Sequence, residues 1–279
     1  MTTEIDRLWE QRATVPRVEM PHRMVEALRV TKGASASDVE RLHRWAGHLS
    51  RRLQGQVPDA MPKDPLQAPY LLYLDGLGDT PWHETKDYAV TGVLEQNFKT
   101  IKEEMLDQTP DARRWQEYHV GVEAERKWRA TWFYRAGVRQ PDTAARYPMT
   151  SALFDEYSVP DGPMASTIGD CFFSRLEAGG HIPAHTGASN ASLVCHLALV
   201  VPESCAFRVG SETRGWQEGR TLLFDESYEH EAWNKSGSDR YVLVLVLWQK
   251  GLTPVERDYM RVMRPWLDEL LAASMAKKG

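Results

Sequence analysis

The sequence predicts a mainly β protein with flanking helices, its strands forming an antiparallel sandwich or barrel, on three observations. From about residue 168 onward, short apolar runs recur between turn signals: DCFFSRLEAGGH, SLVCHLALVVPE, CAFRVGSE, RTLLFDES and RYVLVLVLW. Strands at this spacing, punctuated by Gly-Gly, Pro-Glu and Ser-Gly, suit antiparallel sheets. The run Tyr241–Trp248 is apolar on both parities, as a central strand covered on both faces must be. The first third, by contrast, is polar and carries helical periodicity.

Taken in order, residues 3–13 predict a short helix ending near Pro16. Ser35–Gln54 predicts a longer one, capped by Ser37, with Asp38 and Glu40 in its first turn. Its apolar face is Val39, Leu42, Trp45, Ala46 and Leu49, and Arg41, Arg44, Arg51 and Arg52 are expected on a solvated face. Residues 55–69, with Pro58, Pro62, Pro65 and Pro69, form a linker or extended arm. PYLLYL then predicts a strand, and Val93–Leu106 an amphipathic helix. After Gly251 a final helix carries Val255, Met260, Met263, Leu267 and Leu271, and the AKKG tail is expected to fray. This gives a helical segment with a Pro-rich arm over 1–68, a main domain over 69–250 and a C-terminal helix over 251–279.

Composition narrows the function classes. The 279 residues carry a net charge of -5, which argues against an electrostatic grip on nucleic acid or anionic membrane. No apolar stretch approaches the ~18 residues of a membrane span, and the N-terminus lacks the apolar core of a secretory signal. Three cysteines without a CxxC pair suit a reducing compartment. A cytoplasmic location is therefore expected. No GxSxG, P-loop or GxGxxG element supports a hydrolase or nucleotide site. Cys195 and His196 are adjacent on a strand and so face opposite ways, which excludes a Cys-His nucleophilic pair.

Four of the nine histidines, His181, His185, His196 and His230, fall in the strand-rich third. His185 lies in AHTGASN and His230 in FDESYEHEAWN. A facial triad for Fe(II) uses His-x-Asp/Glu on one strand and a distant histidine, because residues i and i+2 share a face. Here position i+2 is Gly187, which offers no ligand.

The surrounding pieces, in order, are YLDGLGDTPWHE, LEQNFKTIKEE, GGHIPAHTGASN, HLALVVP, CAFRVG, LLFDESYEHEAWN and a strand opened by Arg240. Over roughly residues 69–250 this pattern resembles the aspartyl/asparaginyl β-hydroxylase family of Fe(II)- and 2-oxoglutarate-dependent oxygenases. The resemblance implies a distorted double-stranded β-helix, a jelly-roll or cupin-like core. It also implies Fe(II), 2-oxoglutarate and O2 as cofactors, with His185 and His230 as the metal ligands and catalytic pair. Ser174 and Arg240 match the positions holding the distal carboxylate of 2-oxoglutarate, and His196 the second histidine near its other carboxylate. An arginine fork with a hydroxyl is a strong carboxylate receptor; the alternative for Arg240 is pairing with Asp239 or exit at the strand end. His196 is equally readable as a hydrogen-bonded core histidine.

The chain departs from the family pattern at Ser192 and Val194, and again after Trp248, the pattern's last Trp, where Gln249–Lys250 stands in place of the family's frequent His-Pro. Members acting on acidic side chains carry basic residues where this chain has Ser192 and Val194. These share a strand face with His196, so an aspartyl acceptor would bury its charge unpaired. Arg175 or Arg208 are candidates to replace the missing base, and Asp225, Glu226 and Glu229 are candidates to support His230. The expected activity is hydroxylation of an unactivated C–H bond in a small amino-acid-like, carrier-borne or peptide-borne substrate. Two alternatives stay open: halogenation, with chloride at the Gly187 vacancy, and a non-catalytic jelly-roll binding module. The residues say nothing of oligomeric state.

Overall fold

The structure, a computed structural model, describes residues 2–56, 61–109, 115–118, 127–135, 137–157 and 167–275. The expected fraying of the AKKG tail and the part of the arm around Pro58 lie outside them. The helices are α1 (Glu4–Glu10), α2 (Met20–Lys32), α3 (Glu40–Leu53), α4 (Ala89–Gln96), α5 (Phe98–Gln108), α6 (Pro141–Arg146), α7 (Pro148–Tyr157) and α8 (Pro254–Met275). The strands are β1 (Gln116–Glu117), β2 (Trp128–Arg135), β3 (Val138–Arg139), β4 (Thr167–Leu176), β5 (His181–His185), β6 (Ser192–Val200), β7 (Cys205–Val209), β8 (Glu212–Arg214), β9 (Thr221–Asp225), β10 (His230–Asn234) and β11 (Arg240–Trp248). They fall into two compact units: residues 1–63, 71–78 and 250–279, and residues 64–70 and 79–249.

The helical unit is built on α1, α2, α3 and α8. The predicted apolar face of α3 is buried throughout: Val39, Leu42, Trp45, Ala46 and Leu49. Two expectations fail here. Ser35 rather than Ser37 receives the Asp38 backbone N–H and returns its own to the Asp38 carboxylate, leaving Ser37–Val39 as a short 3-10 turn ahead of α3. Arg41 is not solvated. Its guanidinium grips the buried Glu256, donates to the Gly251 carbonyl at 2.7 Å and lies over the Trp45 ring. The run PYLLYL makes no strand ladder; Leu72 takes part only in an isolated bridge, and it and Leu74 are buried as single anchors. The helix α2, which the sequence reading passed over, ends at Gly33, whose φ of +64° is the left-handed stop that glycine adopts without strain.

The second unit holds two antiparallel sheets. One has seven strands in the order β1-β2-β4-β11-β6-β9 with β3 beside β2; the other has the order β5-β10-β7-β8. From β4 onward the chain passes back and forth between them, the arrangement of a jelly-roll. Residues of β11 divide by parity, as strand geometry demands. Val242, Val244 and Val246 join a core shared by both sheets, which includes Phe207, Val209 and Ala232. Leu243, Leu245 and Leu247 join a second core with Val90 and Leu94 of α4 and Ile101 and Met105 of α5. That double coverage is why β11 is apolar throughout. The predicted helix over Val93–Leu106 is instead two helices broken at Asn97, whose amide caps back onto the Val93 carbonyl.

Candidate functional site

The parity that sorts the core also sorts the polar residues. Arg240 and Ser174 share the inner parity of Val242 and Phe172, and His196 that of Val194 and Ala198. Cys195 joins the helix-facing core, so it and His196 face opposite ways, as expected.

His185 ends β5 directly opposite His230 at the start of β10, with ring centroids 4.2 Å apart. Each ring is oriented by its own backbone. His185 Nδ1 lies 2.8 Å from the Pro183 carbonyl, and His230 Nδ1 lies 2.8 Å from the Tyr228 carbonyl. A carbonyl only accepts, so each Nδ1 carries the proton and each Nε2 keeps its lone pair. Burial lowers both pKa values, that of His230 to about 3 with a contribution from His185. Both imidazoles are therefore neutral at physiological pH, as metal ligands must be.

Arg240 is 1% exposed. Its Nε and one Nη have no hydrogen-bond partner, and its guanidinium lies 4.9 Å over the Trp216 ring. Burial pulls its pKa down to about 10. The alternative partner is taken: Asp239 holds Arg175 through bonds of 2.6 and 2.8 Å. A buried cation lacking an anion is costly, and its surroundings fit a carboxylate. Ser174 is buried nearby in register with Val242, its Oγ accepting the Trp128 indole N–H at 3.0 Å. His196 Nδ1 accepts the Trp216 N–H at 3.4 Å, which leaves the proton on Nε2. Burial, then Arg240 and His230, hold its pKa well down.

Neither candidate replacement for the base absent at Val194 reaches this interior. Arg175 lies on the other face of β4, against Trp115, Tyr241 and Asp239. Arg208 faces away from Phe207 and Val209 and is bound by Glu229 and Glu231. That engagement also takes Glu229 away from His230. Asp225 is wholly buried, with Oδ1 accepting the Ser227 N–H at 2.8 Å; burial pushes its pKa up to about 7.

Glu226 goes elsewhere. Its carboxylate accepts from the Ser192 hydroxyl, and its backbone carbonyl accepts the Gly187 N–H at 2.5 Å. A β-carbon built on Gly187 would lie 2.6 Å from Glu226 Cδ and 2.9 Å from Oε2. A side chain at 187 would therefore have to displace the Glu226 side chain, which arrives from the loop after β9. Among the described residues, no three His, Cys, Asp or Glu side chains are grouped to hold a metal, so the metal-binding potential here rests on the histidine pair.

Two features escaped the sequence reading. Strand β2 brings Trp128 to 6.3 Å from the His185 ring and places Trp132 on Phe172 at 4.3 Å. Its alternation, Trp128, Ala130 and Trp132 inward, was the available signal. The segment Asp64–Tyr70 straps the loops carrying Gly187 and Ser227: Ala68 N–H donates to the Ser227 carbonyl, Tyr70 N–H to Gly187, and Thr186 Oγ1 to Ala68.

A double-stranded β-helix with opposed histidines and a buried arginine between its sheets has the outline of an oxygenase. Comparison with known families makes this specific: residues 95–250, more than half of the chain, match the model described as aspartyl/asparaginyl beta-hydroxylase, and the chain belongs to that family. It is 31% identical over 192 residues to the mouse aspartyl/asparaginyl beta-hydroxylase, covering 67% of this chain and 26% of that protein. It is 32% identical over 176 residues to the ornithine lipid ester-linked acyl 2-hydroxylase of Rhizobium tropici, covering 60% of each. The chain thus spans about a quarter of the mammalian relative and well over half of the bacterial one. Among solved structures, a Pseudomonas putida prolyl-4-hydroxylase aligns over 58% of this chain and 99% of its own, with 10% identity and a TM-score of 0.36. No described helix is long and apolar enough to cross a membrane.

Proposed function

We propose that this protein is an Fe(II)- and 2-oxoglutarate-dependent hydroxylase whose acceptor is not an aspartyl side chain. The observation that carries the reading is Arg240, a buried guanidinium with unpartnered nitrogens in the strand next to Ser174, on the sheet opposite the one that carries the histidine pair. A cation so placed fits the distal carboxylate of a dicarboxylate cosubstrate. His185 and His230 would hold the metal through Nε2. When bound, the metal and cosubstrate would supply the oxidising chemistry with O2 as oxidant, one oxygen atom passing into succinate as 2-oxoglutarate loses CO2 and the other into the acceptor's new hydroxyl.

The chain's own residues bind, orient and exclude water. Trp128 holds the Ser174 oxygen by its indole N–H, leaving the hydroxyl proton free to turn toward a carboxylate. Trp216 supports both the Arg240 guanidinium and the His196 tautomer, so the His196 Nε2–H is a fixed neutral donor. That donor takes over part of the task a base at Val194 would perform. The carbonyls of Pro183 and Tyr228 hold the ligand rings in one orientation, as partners behind metal-binding histidines do.

The names of the relatives span aspartyl and asparaginyl residues and a lipid acyl chain, so family membership leaves the acceptor open. Ser192 and Val194 leave that wall without a cation, which weighs against an acidic acceptor. The Glu226 carboxylate beside Gly187 likewise weighs against chloride there, and so against halogenation.

The test is turnover. The purified protein with Fe(II), ascorbate and 2-oxoglutarate should form succinate, the slow uncoupled reaction included, and His185→Ala and His230→Ala should form none. Absence of succinate from a metal-loaded wild type would favour the binding-module reading.

A further inference from the structure

We infer that the strap Asp64–Tyr70 is the positioning element of the histidine pair: it ties the loop after His185 to the loop before His230 and so fixes the spacing of the two imidazoles before a metal arrives. The inference rests on the proposed reading for the role of that pair, and it gives the Pro-rich arm a task. The strap lies outside residues 95–250, the part that the family model matches. It belongs to the compact unit that carries the histidines, although the chain on both sides of it belongs to the helical unit. His185 needs such a tie. It is the last residue of β5, and β5 is the edge of its sheet, paired only with β10. The end of an edge strand is held on one side alone and opens easily. His230 is held better, because Val209 of β7 pairs with it from the other side. Metal-holding side chains work only when fixed to within about 0.5 Å, so a loose His185 would weaken the site.

Ala68 bonds both loops at once. Its N–H donates to the Ser227 carbonyl at 2.9 Å, and its own carbonyl accepts the Thr186 hydroxyl at 2.8 Å. To either side of it, the Leu66 carbonyl accepts the Glu229 N–H at 2.7 Å, and the Tyr70 N–H donates to the Gly187 carbonyl at 3.1 Å. Thr186 directly follows one histidine, and Glu229 directly precedes the other. The local sequence suits the task. Asp64 opens the strap with a turn, its side chain accepting the Leu66 N–H at 2.9 Å and its carbonyl the Gln67 N–H at 3.0 Å. Pro65 and Pro69 carry no N–H and bias Asp64 and Ala68 toward extended backbone. The N–H groups of Ala68 and Tyr70 are thereby left for the loops. Gln67 anchors the strap: it is buried, and its amide donates to the buried Ser227 hydroxyl at 3.1 Å and lies 3.4 Å from the Asp225 carboxylate.

The experiment titrates full-length protein with Co(II) as the metal probe, followed by its visible d–d bands, with a competing chelator giving the dissociation constant. Thr186→Val keeps the shape and removes the hydroxyl; Gln67→Leu keeps similar volume and removes the amide. Loops released from the strap must be ordered again when metal binds, so the affinity lost is bounded by what the broken bond was worth. That bound is about three- to tenfold for each variant. Thr186→Ser restores the hydroxyl and should bind as the wild type does. Ile101→Val, a change in the helix-facing core, lowers stability alone and should leave the affinity unmoved. A strap that only stabilises the fold predicts lower melting midpoints throughout and no loss of affinity. Unchanged Co(II) affinity in Thr186→Val and Gln67→Leu, with the fold intact by circular dichroism, therefore overturns the inference. A loss in Thr186→Val that Thr186→Ser fails to restore does the same. Thr186 is partly exposed, so its variants keep the test open should Gln67→Leu misfold. His185→Ala and His230→Ala report separately on the pair. Co(II) binding that survives in both sinks the histidine site and the inference with it. Binding lost in both but unmoved in the strap variants sinks the strap's role alone.

Discussion

Replacing Arg240 with methionine should make the free protein more stable while destroying its capacity for 2-oxoglutarate. The guanidinium is 1% exposed, and two of its nitrogens lack partners. Burial pulls its pKa from the ordinary guanidinium value down to about 10. At about 1.4 kcal/mol per pK unit, keeping the cation in the fold costs about 3 kcal/mol. A cation whose pKa falls on folding opposes folding at every pH below the folded value. The penalty fades only as pH rises above about 10 toward the ordinary guanidinium value, so at pH 7.5 it is present in full. Methionine removes it, fills similar volume and loses the stacking on Trp216, worth about 1 kcal/mol. The net gain is about 2 kcal/mol, or roughly 4–8 °C in melting midpoint for a domain of this size. Calorimetry of chelator-treated protein at pH 7.5 measures it. Saturating 2-oxoglutarate with metal should then stabilise the wild type by about 2.7 kcal/mol at a hundredfold excess over Kd, raising its midpoint, and leave Arg240→Met unmoved. A variant that melts at or below the apo wild type, or that still responds to 2-oxoglutarate, would refute the reasoning.

Three further outcomes are expected. Gly187→Asp should not complete a facial triad: its β-carbon meets Glu226, so stability should fall by about 1–3 kcal/mol, and Gly187→Asp combined with Glu226→Ala should recover much of the loss in a denaturant titration. Asp225, whose pKa is raised to about 7 by burial, binds its proton more tightly folded than unfolded. Its contribution is therefore fully present below about pH 4 and is lost as pH rises through about 7; Asp225→Asn should flatten that part of the stability profile and raise the midpoint at pH 8. Trp128→Phe keeps the ring but removes the donor to Ser174, so the KM for 2-oxoglutarate should rise about three- to tenfold, as a succinate assay would read.

Much of the strand-rich unit was legible because its signals are local. The apolar parity of β11, the turns between strands and the face of α3 each lie within a dozen residues. The placement of Arg240 was also legible, since a charge opening a wholly apolar strand demands an explanation. The same parity rule, applied to Arg175 beside the inward Ser174 and to Arg208 between the inward Phe207 and Val209, would have excluded both as replacement bases. What the sequence withheld is long-range. Glu226 meets Gly187 across 39 positions only because two loops converge; β2, by contrast, alternates inward Trp128, Ala130 and Trp132 with Arg129 and Thr131, a local signal that was there to be read. PYLLYL misled because Leu72 and Leu74 are buried without joining a strand ladder, a burial that composition cannot tell from strand pairing. Arg41 misled because a guanidinium on a polar helix face can still bind a buried carboxylate elsewhere in the chain.

The most direct measurement is an anaerobic titration of the apo-protein with Fe(II) and 2-oxoglutarate, followed in the visible for the charge-transfer band of chelated cosubstrate. The account predicts a saturable band in the wild type that is lost in His185→Ala, His230→Ala and Arg240→Met. Iron binding without a band, or a band undiminished in Arg240→Met, would contradict it.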